Sequence, residues 1–177
     1  MPDQNVPEKN ELQTLPLLPL KNTVLFPYLL MPLSVGRASS LAAVEAALAT
    51  EAKEILVFSQ RDPSVENPTQ DELYSIGTKA MIRKMSRPND TTVELLVLGM
   101  ERVTLVKLDN SEPFLRGKIS PLPLPQDQGA ELEALQGALI ELATEAIQLA
   151  QPNSPEIARL LAANEDPLRL AFVLASM

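Results

Sequence analysis

The sequence predicts an α+β protein: a β-rich, partly closed barrel of about six strands with one helix, followed by a truncated helical subdomain. Three observations carry this reading. The stretch from Leu15 to Arg37, LPLLPLKNTVLFPYLLMPLSVGR, places short apolar runs between Pro16, Pro19, Pro27 and Pro32. Proline removes a backbone donor and fixes φ, so no continuous helix spans it. Residues 78–98 alternate on either side of a turn, as a half-buried hairpin does. Beyond Pro121, Pro123 and Pro125 the apolar period changes from two residues to 3.6.

Taken in order, residues 1–13 are polar and read as a disordered arm. The proline-rich stretch divides into strands at 15–20 and 32–36, joined by a corner at Phe26-Pro27-Tyr28. Gly36 turns the chain into a helix over 38–51, with Ser39 or Ser40 as cap and Leu41, Val44 and Leu48 as its apolar stripe. Lys53–Gln60, with its continuous apolar centre, reads as a central strand. The polar loop Arg61–Asp71 is long enough to be either functional or mobile. A hairpin follows, 78–87 and 92–98 around Pro88-Asn89-Asp90-Thr91, and then strands at 101–109 and 114–120. A boundary at Gln126-Asp127-Gln128-Gly129 separates a β-rich unit, 14–125, from a helical unit, 126–177. There Leu132, Leu135, Leu139, Leu142, Ala146 and Leu149 define an amphipathic helix over 130–150. Ser154-Pro155-Glu156 and Asp166-Pro167 are helix starts. The terminal run Leu168–Ala175 is apolar on nearly every face and needs burial on every face, so the chain reads as a piece of a larger helical unit.

Composition narrows the function classes. Hydrophobic residues make up 45% of the 177 and aromatics only 3%, so the core is aliphatic. The net charge of −8 disfavours nucleic-acid binding, whose affinity comes largely from neutralising phosphates. The sequence contains neither Cys nor His, which excludes disulfides, thiolate chemistry and a Ser–His triad. No P-loop pattern is present and no Asp/Glu group has metal-ligand spacing. We therefore expect no catalytic residue, no cofactor and no metal. A polar start and the lack of a long apolar run predict a cytoplasmic protein with no membrane contact.

The hairpin suggests a site. Centred on Asn89-Asp90, it pairs Arg87 with Thr92, Met85 with Glu94, Arg83 with Leu96 and Met81 with Leu98. Ala80, Ile82, Val93, Leu95 and Val97 then share the core face, together with Lys84 and Ser86 near the turn. Met81, Met85, Leu96 and Leu98 share the other face, rimmed by Arg83, Arg87 and Glu94. An apolar patch with a polar rim marks a protein contact, and methionine suits varied partners. Alternatively another segment covers this face: the 61–76 loop, the arm or the helical unit. The corner Tyr28-Leu29-Leu30-Met31-Pro32 is a second candidate, with Tyr28, Met31 and Pro32 as its contact residues; its alternative is anchoring in the core, which applies more to Leu29 and Leu30 than to Tyr28 or Pro32.

The proline-rich run, Gln60-Arg61-Asp62-Pro63, Leu73-Tyr74-Ser75-Ile76-Gly77-Thr78 and Gly99-Met100-Glu101-Arg102-Val103 occur in that order. Together they resemble the amino-terminal substrate-binding domain of ATP-dependent Lon proteases, over roughly residues 15–177. The resemblance implies the same fold, continuing through further helices into ATPase and protease modules. It also implies a non-catalytic domain that captures exposed apolar segments of unfolded or damaged proteins and helps a homo-oligomer, a hexamer, assemble. A free-standing adaptor of the same fold and an RNA-binding β-barrel are the alternatives.

Overall fold

The computed structural model describes residues 12–111, 113–126, 128–150, 163 and 166–177. The chain divides into two units, one up to Pro123 and the other from Leu124. Among the described residues the first unit runs β1 (Gln13–Leu20), β2 (Leu30–Val35), α1 (Ala38–Leu48), β3 (Glu54–Ser59), β4 (Ile76–Ser86), β5 (Val93–Asp109) and β6 (Arg116–Pro121). The sheet order is β2-β5-β4-β3-β1-β6, and β6 also pairs with β5. That last pairing closes β5, β4, β3, β1 and β6 into a ring and leaves β2 outside it. β1 and β3 are parallel, and the other pairs are antiparallel. The strands expected at 92–98 and 101–109 are one strand, β5. Leu12 and Gln13 are described, with Gln13 already in β1, so the arm expected over 1–13 lies mostly outside the described residues.

Two apolar clusters fill the unit, one on each face of the sheet. The first joins Leu18, Leu20, Leu25, Ile55, Val57, Ala80, Ile82, Leu95 and Val97 to Val44 and Ala47 of α1. The second, within the ring, joins Leu17, Leu56, Phe58, Leu73, Val103, Leu105 and Ile119. Neighbouring residues of β3 thus enter opposite clusters, which is why its centre is continuously apolar rather than alternating. In the ring the chains come close. A Cβ on Gly117 would stand 2.7 Å from Leu56 Cδ1, and one on Gly77 would stand 2.6 Å from the Phe58 ring.

The segment between β1 and β2 crosses the first cluster's face. Its Leu25 is buried in that cluster, and the Leu25 carbonyl accepts the Thr78 hydroxyl at 2.6 Å. Tyr28 takes a left-handed φ of 65° and donates its N–H to Gly99 O at 2.9 Å. This crossing needs a residue without a side chain beneath it, because a Cβ on Gly99 would lie 2.2 Å from Phe26 O.

The prolines sit where the ladder asks for no donor. Leu20 O accepts from Gln60 N, so even-numbered residues at this end of β1 face β3, and Pro19 faces away. β6 pairs with β1 only as far as Pro16, which leaves the Pro19 carbonyl uncovered. The Arg37 guanidinium covers it, and also donates to Gln60 Oε1 at 2.9 Å and Glu66 O at 3.0 Å. Helix α1 starts differently from expectation. Arg37 is its N-cap, without a side-chain cap bond, and Ser40 is buried with an unpartnered hydroxyl. The cap lies two or three residues before the expected serines, so both fall inside the helix and Ser40 is on its buried face.

In the second unit α2 (Ala130–Ala150) is the expected amphipathic helix, and α3 (Pro167–Ala175) packs against it. Asp166 caps α3, accepting the N–H groups of Leu168 at 2.9 Å and Arg169 at 3.3 Å. The start expected at Ser154-Pro155 lies outside the described residues.

Gly99→Ala should destabilise the protein by about 1–3 kcal/mol, the cost of overpacking against backbone that cannot rotate away. Gly36→Ala, whose added Cβ would meet nothing closer than 3.7 Å, should stay within about 0.5 kcal/mol of the parent. Urea denaturation of the two variants checks the contrast.

Candidate functional site

The hairpin register is as expected as far as Met81↔Leu98 and Ile82↔Val97. It then shifts, because Arg83 is an extra residue on β4, and the pairs become Lys84↔Leu96, Met85↔Leu95 and Ser86↔Glu94. Paired residues share a face, so the bulge exchanges the faces of the β4 residues between it and the turn. Lys84 and Ser86, expected on the core face, lie on the other. Met85 lies on the face of Leu95, beyond the core and 44% exposed. Arg87 reaches Glu45 of α1 at 3.1 Å.

β2 extends the face sideways. Its register is Leu30↔Leu98, Pro32↔Leu96 and Ser34↔Glu94. One row therefore runs Leu30–Leu98–Met81 and ends at Glu54 of β3. A second row runs Pro32–Leu96–Lys84, and a third, Ser34–Glu94–Ser86, is polar throughout. The structure thus brings together Met81, Leu96, Leu98 and Pro32 from the expected residues. Leu30, for which anchoring in the core was the stronger expectation, joins them instead and is 54% exposed. Met31 faces the other way, pairing with Val97 and packing on the first cluster. Tyr28 stands in the corner before β2, 43% exposed. Of the expected rim, Glu94 lies in the polar row, Arg83 donates to Met81 Sδ at 3.5 Å, and Arg87 has gone to α1. Leu30 was legible in principle: the alternation Leu30, Pro32, Ser34 against Met31, Leu33, Val35 assigns it once β2 is started two residues earlier.

On its other side the apolar patch ends at a charged group. Lys79 pairs with Glu101 across the strands, forms an ion pair with it, and lies 3.6 Å from Glu54. Burial alone would lower the Lys79 pKa, but hydrogen bonds and charge from Glu101 and Glu54 outweigh it and hold the ammonium above its ordinary value. The patch is thus bounded along the strands by polar groups at both ends.

The 61–76 loop is fastened elsewhere. Its first part is held by Arg37, by Gln60 Nε2 on Val65 O at 2.8 Å, and by a Lys21–Glu66 ion pair at 2.8 Å. A short 3-10 turn, Gln70–Glu72, follows, closed by a capping box between Thr69 and Glu72. The Gln70 side chain then accepts from Leu108 N at 2.9 Å, at the far end of β5 from the hairpin. A cleft of about 230 Å³ lies there, lined by Arg61, Gln70, Asp71, Leu73, Ser75 and Leu105. It is smaller than the ~300–1,000 Å³ of small-molecule sites. Among the described residues no three acidic, His or Cys side chains cluster as a metal site would need, and no helix is long and apolar enough to cross a membrane.

Residues 14–177 match the family model described as the ATP-dependent protease La (LON) substrate-binding domain. The chain is 48% identical to a Lon protease of Nitrosococcus oceani over 163 residues, 92% of this chain and 21% of that protein. It is 34% identical to a Lon protease of Haemophilus influenzae over 168 residues, 95% of this chain and 21% of that protein. The chain thus spans about a fifth of the length of these curated relatives. Its fold is similar to the N-terminal domain of a Mycobacterium avium complex Lon protease, with TM-score 0.75 and 21% identity over 91% of this chain and 81% of that one.

The Lys79 ammonium should titrate above an ordinary lysine, and Glu101→Gln should bring it down. A folded-state pKa above the unfolded one means that Lys79 stabilises the fold fully below the unfolded lysine value of ~10.4. That contribution is lost as pH rises through the folded pKa. NMR titration of the lysine side chain in both forms checks the shift and its cause.

Proposed function

The chain belongs to the ATP-dependent protease La (LON) substrate-binding domain family, and from that premise we propose that its β-rich unit captures exposed apolar segments of unfolded or damaged proteins. The observation that carries this reading is the apolar surface Leu30–Leu98–Met81 with Pro32 and Leu96, bordered by Ser34–Glu94–Ser86 on one side and Lys79–Glu101 on the other. Such a surface removes apolar side chains of a client from water, while its polar borders stay solvated. Met81 is flexible and lets the patch adapt to different sequences. Arg83, Lys84 and Glu94 put both signs of charge around it, which favours no single charge class of client.

In this reading the domain is non-catalytic. The whole protein is an ATP-dependent protease whose ATPase and protease modules lie outside this chain, acting in the cytoplasm on protein substrates. Binding by one domain is weak, because an unfolded client loses entropy when it is ordered. A homo-oligomer, a hexamer as the family resemblance implies, recovers affinity through effective concentration, by about 10²–10⁴-fold. The same domain then also contributes to assembly.

The test uses NMR titration with a permanently unfolded, apolar-rich polypeptide. Shifts should concentrate on Leu30, Met81, Leu96 and Leu98. Leu98→Ser and Leu30→Ser should each weaken binding about tenfold, the scale of one lost leucine contact. Met85→Ser, on the other face, should leave it within about twofold. Equal losses from Met85→Ser, with none from Leu30→Ser, would overturn the assignment.

A further inference from the structure

One edge of the sheet lacks a neighbouring strand among the described residues. β2 ends the strand order, whereas at the opposite end β6 returns to β5. The ladder determines which backbone groups face that edge. Gly99 N–H donates to Leu29 O at 2.9 Å, which makes Leu29 and Gly99 a hydrogen-bonded pair in the register of Leu30↔Leu98. Antiparallel pairs alternate, so Met31, Leu33 and Val35 turn their backbone groups toward β5. Leu30, Pro32 and Ser34 turn theirs outward. Pro32 contributes no N–H, which limits uncontrolled pairing without closing the edge. What remains outward is Leu30 N–H and C=O, Pro32 C=O, and Ser34 N–H and C=O.

These three residues are also the β2 members of the rows described above. Leu30 ends the apolar row and Pro32 ends the next. The exposed edge and the apolar face therefore meet along the same strand. We propose that an extended apolar segment of a client polypeptide binds as an added strand on the outer edge of β2, its alternate side chains continuing the rows of Leu30 and Pro32. This deepens the capture function proposed above and rests on it. The edge itself selects the occupant. Its donors and acceptors, at strand spacing, are matched by another extended backbone, and an unfolded segment always carries one. A second copy is a poorer fit: two β2 edges paired about Pro32 would oppose two residues that have no donor. A client residue with a free N–H can instead donate to Pro32 O. Because the main chain supplies the hydrogen bonds, such binding reads the client's extended backbone and apolar alternation rather than a particular sequence.

The experiment measures amide hydrogen exchange on the chain with and without a short peptide of alternating leucine and threonine. Exchange at Leu30 and Ser34 N–H should slow by about tenfold or more when the peptide saturates, as for amides entering a ladder. Ser34→Pro should weaken the peptide about fivefold, the worth of one net hydrogen bond, and Pro32→Val, which restores an outward donor, should tighten it by a similar factor. Shifts on Leu98 and Met81 without slowed exchange at Leu30 and Ser34 would overturn the edge and leave the apolar face standing. No binding at all would overturn both. Protection that grows with protein concentration in the absence of peptide would assign the edge to a second copy and overturn the proposal.

Discussion

A strand of 17 residues cannot pair with two neighbours in a ring and a third outside it unless it bends, and the bends of β5 are what the rest of the unit depends on. Two residues of β5 are extra in its ladders. Met100 is skipped between the pairs Ala80↔Gly99 and Lys79↔Glu101, and Val106 between Leu105↔Ile119 and Lys107↔Lys118. Both are exposed, as residues pushed out of a ladder are. The Met100 bulge also changes the face presented by the strand. Val93, Leu95 and Val97 belong to the cluster under α1, and Val103 and Leu105 belong to the cluster in the ring. All five have odd numbers. Without the bulge they would share one face, and the ring would lose two of its apolar side chains.

Close packing fixes the remaining connections. Gly99 lets the β1–β2 crossing lie directly on β5, and that crossing delivers β2 to the outer side of β5 rather than into the ring. Arg37 satisfies the Pro19 carbonyl where β6 has ended and holds the 61–69 segment through Glu66 O and Gln60. Burial lowers the pKa of its guanidinium, with the charge of Glu66 opposing. One side chain therefore ties a strand, a helix start and a loop together, away from the hairpin.

The apolar face exists because the ring and the β2 extension are not coextensive. Along β4 and β5 the face that is ring interior at Gly77 and Val103 becomes open surface at Met81 and Leu98. The Lys79–Glu101 pair marks the transition. Interior-type residues continue past the point where the ring can cover them, and β2 widens the patch by one strand.

Much of this protein was legible in its sequence. Proline positions excluded helix from 15 to 37, the change of apolar period separated β from α, and Asp166-Pro167 marked a helix start that the structure keeps. Met81, Leu96 and Leu98 were read correctly as one face, since period two is a local property. The tertiary structure decided what depends on bulges. Arg83 looks like an ordinary alternating residue, yet as a bulge it moves Met85 to the other face and brings Lys84 and Ser86 over. Met100 joins two expected strands into one. A bulge forms where two ladders and two cores require different phases, and that requirement exists only when distant segments are already paired. Leu30 belongs to the face for the same reason: its row is set by a crossing that only the contact between Phe26 and Gly99 permits.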